Sequence, residues 1–271
     1  MSTTPSCRLP RVAAAAIAAA GVASSASAAS FNDTFDSAGD IASNYTGFEL
    51  TSSETAAGVD SNTYSSGSSF ALDPVDGQVD FTVTIPSGFN LNILQRSVDA
   101  ANLYDINQGM SLTMNASGLD PTFFDAIRNP ATFGTSGGTL NADITVSVQN
   151  IDFGQYRLGV QVGGVDLPGG GQQNYAGSPD GVNFTLNIDN DSYSVLADGA
   201  ELIADTAHGI VFSSLEGVTP TVGAQNVFAG GGNTSLSINS FAGTGVAVPE
   251  PATATLAAAG LGLLTLRRRG R

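Results

Sequence analysis

The stretch GTSGG (134–138) matches the nucleophile pattern G-x-S-x-G, with Ser136 in the place of the attacking hydroxyl. Such a serine needs a base to take its proton and a third group to orient that base. The chain has one histidine, His208, preceded by Asp189, Asp191, Asp198 and Asp205. The order Ser, Asp, His suits an α/β-hydrolase, but that chemistry requires a strand-turn-helix around the serine, and no helical pattern follows Ser136. In a chain with 33 glycines the match is expected by chance. His208 stands ahead of the apolar Ile210, Val211 and Phe212 and is expected at a strand edge. Glycoside hydrolysis needs a carboxylate pair about 5 to 9.5 Å apart. The five glutamates, Glu49, Glu54, Glu201, Glu216 and Glu250, are scattered.

Two binding chemistries suit the residue types better. Calcium takes six to eight oxygen ligands, and the acid-rich turns DPVDGQVD (73–80) and IDNDS (188–192) offer them. Asp189 and Asp191 are the candidate ligands, although Asp and Asn also simply build turns. Carbohydrate recognition combines an aromatic face with amide and carboxylate hydrogen bonders. The polar segment GGGQQNYAGSPDG (169–181) supplies Gln172, Gln173, Asn174 and Tyr175 and is the candidate ligand loop, with a plain connector as the alternative.

These residues need a framework, and the alternation of the chain predicts one. QVDFTVTI (78–85), MSLTMNA (110–116), ADITVSVQN (142–150), YRLGVQVGG (156–164), VNFTLNID (182–189) and TSLSINSF (234–241) each place apolar residues at every second position. This is the pattern of half-buried antiparallel strands. The Asp198-Gly199 pair predicts a type I′ hairpin turn, with a further strand from Leu202 and Ile203. One helix is expected over LDPTFFDAIRN (119–129), capped by Asp120. No strand-helix-strand alternation appears, so the fold class is all-β, an antiparallel β-sandwich.

The two ends carry different information. Arg8 and Arg11, the apolar run 12–23 and Ala-Ser-Ala at 26–28 form an export signal, with cleavage by signal peptidase expected between Ala28 and Ala29. The one cysteine, Cys7, leaves with it, so no disulfide is expected in the mature chain. At the other end, VPEP (248–251) precedes an uncharged apolar run (252–266) and Arg267, Arg268 and Arg269. As a helix the run spans roughly 22 Å, short of a ~30 Å hydrocarbon core, and it crosses by thinning the bilayer or with help from flanking residues. The arginines act as a cytoplasmic stop. Lys is absent, and removing the six terminal arginines and Glu250 takes the formal charge from −15 to −20 for residues 29–247. Such a body repels nucleic acid.

Val248, Pro249, Glu250 and Pro251, the short helix and the arginine cluster resemble the PEP-CTERM sorting signal of exported bacterial proteins. The resemblance covers about the last 24 residues. It implies processing by an exosortase, a membrane transpeptidase-like cysteine enzyme, in a Gram-negative-type bacterium that makes exopolysaccharide. The strand meander around 181–206, with FNDTFDSAGDIASNYTGFEL (31–50) as opening strand and LSINSFAGTGVAVPEP (236–251) as closing strand, resembles the concanavalin A-like lectin/glucanase superfamily, laminin-G-like branch. The glucanases of that superfamily carry E-x-D-x-x-E on one strand, and no glutamate here fits it. Three domains are expected: a signal peptide (1–28), a concanavalin A-like jelly roll (29–247) and a transmembrane sorting signal (248–271). The body is expected to be non-enzymatic and carbohydrate-binding, membrane-anchored through its tail before processing and then on the cell surface or in the extracellular matrix. Extracellular polysaccharide is the expected partner, and calcium the one cofactor considered. A matrix protein without a specific ligand and a secreted hydrolase are the alternatives.

Overall fold

A computed structural model describes residues 28–35, 45–46, 77–85, 88–96, 104–119, 127–128, 131–137, 144–151, 154–163, 165–212, 217–228 and 232–248. In chain order its strands begin with β1 (Ala28–Asp33), β2 (Tyr45–Thr46), β3 (Val79–Ile85), β4 (Gly88–Arg96), β5 (Tyr104–Asp105) and β6 (Met110–Ser117). Then come β7 (Ile127–Arg128), β8 (Ala131–Gly137), β9 (Ile144–Ile151), β10 (Gln155–Val162), β11 (Val165–Asp166) and β12 (Gln173–Ala176). The last five are β13 (Asn183–Ile188), β14 (Ser192–Ala197), β15 (Ala200–Ala207), β16 (Gly217–Phe228) and β17 (Gly232–Val246). They form two antiparallel sheets, a jelly-roll β-sandwich. The first sheet runs β1-β17-β6-β13-β14-β15, with β3 also on β17. The second runs β11-β10-β9-β8-β16-β4-β2, with β12 on β10 and β5 and β7 on β16.

Period-2 alternation builds the core from both inner faces. Leu112, Met114, Phe184, Leu186, Val195 and Phe241 of the first sheet are buried against Phe133, Val146, Leu158 and Val160 of the second. Tyr156 meets Phe184 edge-on across the layers at 5.5 Å. First and last strands close the sandwich: β1 pairs with β17 from Ala28↔Val246 to Asp33↔Phe241.

Turn chemistry sets the register where the sequence predicts it. Asp198 and Gly199 have φ of 46° and 80°, the two positive values that a type I′ turn requires. The Asp198 carboxylate also accepts the backbone N–H of Asn183 at 3.0 Å, which fixes the start of β13. The expected helix over 119–129 is corrected at its end. Ile127 and Arg128 form β7, paired with Phe228 and Val227. β-branched Ile127 suits that pairing, and contacts with β16 outweigh a local helical preference. Residues 120–126 lie outside the described residues.

One polar side chain ties the layers together. Tyr193 of β14 is buried, and its hydroxyl donates to the Pro168 carbonyl beside the second sheet at 2.6 Å. Burial, with the Tyr175 phenol adding to it, pushes Tyr193 up to about 12 from 10.0. A phenol with a raised folded pKa stabilises the fold fully below its unfolded value, and that contribution is lost as pH rises through the folded value. The stability of the protein should therefore fall between pH 10 and about 12. Tyr193→Phe should be less stable at neutral pH, by about 1–3 kcal/mol for the orphaned carbonyl, yet lose less over the alkaline window. Urea midpoints measured across that range decide it: equal alkaline losses in both proteins would reject the assignment.

Candidate functional site

The outer faces of the two sheets differ in a way that locates the site. On the first sheet, Ser and Thr hydroxyls and Asn amides bond to each other. Thr113 and Thr185 hydroxyls lie 2.9 Å apart, Asn187 donates to Ser194 at 3.3 Å, and Asn115 donates to Asn183 at 3.0 Å. That surface is internally satisfied.

The outer face of the second sheet is built on β10. Its alternation buries Tyr156, Leu158, Val160 and Val162 and turns Arg157, Gly159 and Gln161 outward. β9 sets Gln149, Ser147 and Thr145 opposite these three in register. On the other flank β12 places Asn174 opposite Arg157. Arg157 donates through Nε to Asn174 Oδ1 at 3.0 Å and through Nη1 to Gln172 Oε1 at 3.3 Å. Gln161 donates to Asp166 Oδ1 at 2.9 Å. Gln149 beside Arg157 is buried, as are Thr132 and Thr221 toward the middle of the sheet, so the open part of the face is made by β10 and β12 with Thr145 and Ser147 of β9.

The chain reaches β12 through a tight approach. Gly170 accepts from Val160 N–H at 2.7 Å, and Leu167 donates to Val160 O at 3.0 Å. A Cβ on Gly170 would stand 2.8 Å from Tyr193 Oη and 2.9 Å from Val160 O, so only glycine lets this segment press onto β10 and present Gln172.

The four residues of the expected ligand loop are thus a strand and its approach, and they divide. Gln172 and Asn174 reach Arg157 on the outer face. Tyr175 packs against the core instead, its ring stacked on Tyr156 at 5.5 Å and 22°. Its hydroxyl lies 3.2 Å from Gln173 Oε1 and 3.3 Å from Leu202 O, and burial raises the phenol. Tyr175 is therefore half-buried support for the site rather than an open aromatic platform. Sequence reasoning left out Arg157, whose signal was its rarity: it is one of three arginines between the termini.

The other candidates separate. Ser136 lies on β8, opposite Thr219 of β16, not in the loop expected for it. His208 sits one residue beyond β15 and is buried. Its Nδ1 accepts the Ile210 N–H at 3.0 Å, which places the ring proton on Nε2, 3.0 Å from the Asp189 carbonyl. Both ring nitrogens hold backbone, and Phe212 meets the ring edge-on at 5.3 Å.

Asp189 Oδ1 accepts the backbone N–H groups of Asp191 and Ser192, each at 2.8 Å. These bonds, first that from Asp191, hold its carboxyl below the usual range. Asp191 Oδ1 accepts from Asn190 at 3.1 Å. The pair closes the β13–β14 turn, beside a shallow cavity of about 210 Å³ that Asn187, Ser192, Ser194 and Asp205 also line. Among the described residues no three His, Cys, Asp or Glu side chains gather as a metal would need.

The expected signal cleavage point and the start of the sorting motif adjoin one strand pair. Ala28 and Ala29 pair with Val246 and Gly245. Ala247 bridges Tyr104 just before Val248. Pro249, Glu250, Pro251 and the arginines Arg267, Arg268 and Arg269 lie outside the described residues. Among the described residues no helix is long and apolar enough to cross a membrane.

Fold and tail together define an exported, C-terminally sorted jelly-roll protein. Residues 247–271 match the PEP-CTERM protein-sorting motif. That motif marks a chain that is exported and sorted through its C-terminus, with an exosortase as the processing partner. No curated protein matches the chain in sequence. Among solved structures it is similar to the PL7 alginate lyase AlyA1 from Zobellia galactanivorans, with 14% identity, TM-score 0.47, and coverage of 76% of this chain and 94% of that one. An endo-1,3-beta-glucanase from Streptomyces sioyaensis gives 11% identity, TM-score 0.49, and coverage of 80% and 96%. A beta-1,3-1,4-glucanase (lichenase) derived from a mouse hindgut metagenome gives 14%, 0.46, 79% and 97%. These similar structures are lyases and glucanases, so the expectation of a non-enzymatic body is withdrawn.

Proposed function

We propose that this protein binds extracellular polysaccharide on the outer face of its second sheet, after sorting to the cell surface or matrix. The observation that carries the reading is the pair of exposed amides, Gln172 and Asn174, gathered around the Arg157 guanidinium on the outer face of β10 and β12. Sugars offer hydroxyls that both donate and accept, and amides match them in both senses. Gln172 and Asn174 are exposed, and Gly159 leaves room for the Gln172 side chain to lie across β10. The sorting tail supports the reading, because an exported and sorted domain would meet such polymers.

A glycan array probed with the full-length protein in detergent, in calcium and again in EDTA, tests this. The double variant Gln172→Ala/Asn174→Ala should weaken binding about tenfold, from two hydrogen bonds of roughly 0.5–1.5 kcal/mol each. Unchanged affinity in that variant would remove the site from this face. Loss of binding in EDTA would move it to the Asp189 turn. Release of reducing ends from a bound polysaccharide would make the same face catalytic.

A further inference from the structure

Charge is distributed over this body in an unusual way. Ten strands, β4, β6, β8, β9, β10, β12, β13, β14, β16 and β17, contain neither Asp nor Glu. The acids with described surroundings sit at turns, such as Asp180, Asp189, Asp191 and Asp198, or on edge and short strands, such as Glu201 and Asp166. The three arginines between the termini follow the opposite rule. Arg96, Arg128 and Arg157 lie on β4, β7 and β10, all in the second sheet. A chain whose body carries −20 thus keeps every one of its positive charges on a single sheet.

Arg157 shows what that placement does. Its guanidinium is oriented by two neutral amide oxygens, Asn174 Oδ1 and Gln172 Oε1, and among the described residues it makes no ion pair. A carboxylate partner would orient it equally well but would cancel its charge. Amide oxygens fix the fork and leave the charge available. Asp166, an acid anchored on this face, is bonded instead to Gln161, four residues along β10 from Arg157.

Building on the polysaccharide reading, we infer that this face selects a glycan carrying an isolated carboxylate and that Arg157 reads it. A guanidinium with free N–H groups binds carboxylate through short, charge-assisted bonds, often in pairs. The amides of Gln172 and Asn174 then serve two purposes: they hold Arg157 and face the sugar hydroxyls beside the acid. The −20 body sets the other limit. A densely charged polyuronate brings many carboxylates within range of the acidic rim and is repelled. A polymer with one acid among several neutral sugars places its charge at Arg157 and its neutral units elsewhere. Arg157 is on this account the specificity-determining residue of the site.

The test compares two probes differing in one group: a tetrasaccharide with a single glucuronate and the same tetrasaccharide with that carboxyl reduced to the alcohol. Calorimetry with the full-length protein in detergent should show the acidic form binding at least tenfold tighter. Arg157→Gln should abolish the difference, so that the two probes bind with one affinity. Arg157→Lys should restore part of the preference, because it returns a point charge without the fork. Equal affinity of the wild-type protein for both probes overturns this inference and leaves the polysaccharide reading standing. Weakening of both probes alike by Arg157→Gln overturns it too, since that marks a structural role. Binding of neither probe by the wild-type protein removes both readings.

Discussion

Gly243→Val should cost the protein about 3 kcal/mol or more of stability. Gly243 lies on β17 opposite Phe31 of β1 and Leu112 of β6. A Cβ there would run into the Phe31 ring and stand 2.9 Å from Leu112 Cδ2. The missing side chain is what lets Phe31 lie across β17 and meet Phe241 edge-on at 5.2 Å. Valine places three carbons in that space, and well-packed cores resist such insertion by typically 1–3 kcal/mol, occasionally more. The strain falls on the pairing of first and last strands, which nothing else in the described residues replaces. Thermal unfolding should shift down by roughly 6–12 °C, at about 2–4 °C per kcal/mol for a domain of this size. Thr244→Val, on the exposed neighbour, should stay within about 0.5 kcal/mol. Phe31→Ala should be less harmful in the Gly243→Val background than alone, because it empties the space the valine enters. Additive losses in the double variant would show that the two residues do not share that space.

Glu250→Ala should block tail processing. Proline fixes its own φ, lacks an N–H and disfavours helix at the residue before it, and the sequence sets Glu250 between two prolines. It is the one acid from Val248 to Arg271. Removing it deletes the single negative charge that an extended-chain recognition site could use. In the producing cell, the variant should accumulate as a membrane-held precursor, with mature protein reduced to background. Glu250→Asp should retain partial processing. Immunoblots of membrane and released fractions read the outcome, and a variant matured at the wild-type rate would mean that the motif is not read through this residue.

The two predictions differ in how far the sequence alone supports them. The sorting tail was fully legible, because its order of Pro-Glu-Pro, apolar run and arginines is recognised as a linear string. Strands β3, β6, β9, β10, β13 and β17 were legible as well, since each shows its apolar face at every second residue. The Asp198-Gly199 turn followed from local backbone preference. β16 was not legible: Gly217, Pro220 and Gly223 interrupt GVTPTVGAQNVF and mask its alternation, and pairing with β8 and β4 imposes the strand. The helix expected at 119–129 is corrected at Ile127 and Arg128, where pairing with β16 supplies long-range partners that a local helical preference does not match.

The site divides along the same line. Residue types alone pointed to Gln172–Tyr175 as a unit. Strand pairing split that unit, sending Gln172 and Asn174 to Arg157 and stacking Tyr175 on Tyr156. His208 was a candidate base until two backbone groups, one of them nineteen residues away in the chain, occupied its ring. Composition determined the class of protein, its export and its acidity, because those depend on counts and on linear order. The tertiary structure alone decided which polar groups face outward together, because one residue of register in a strand sends every side chain to the opposite face.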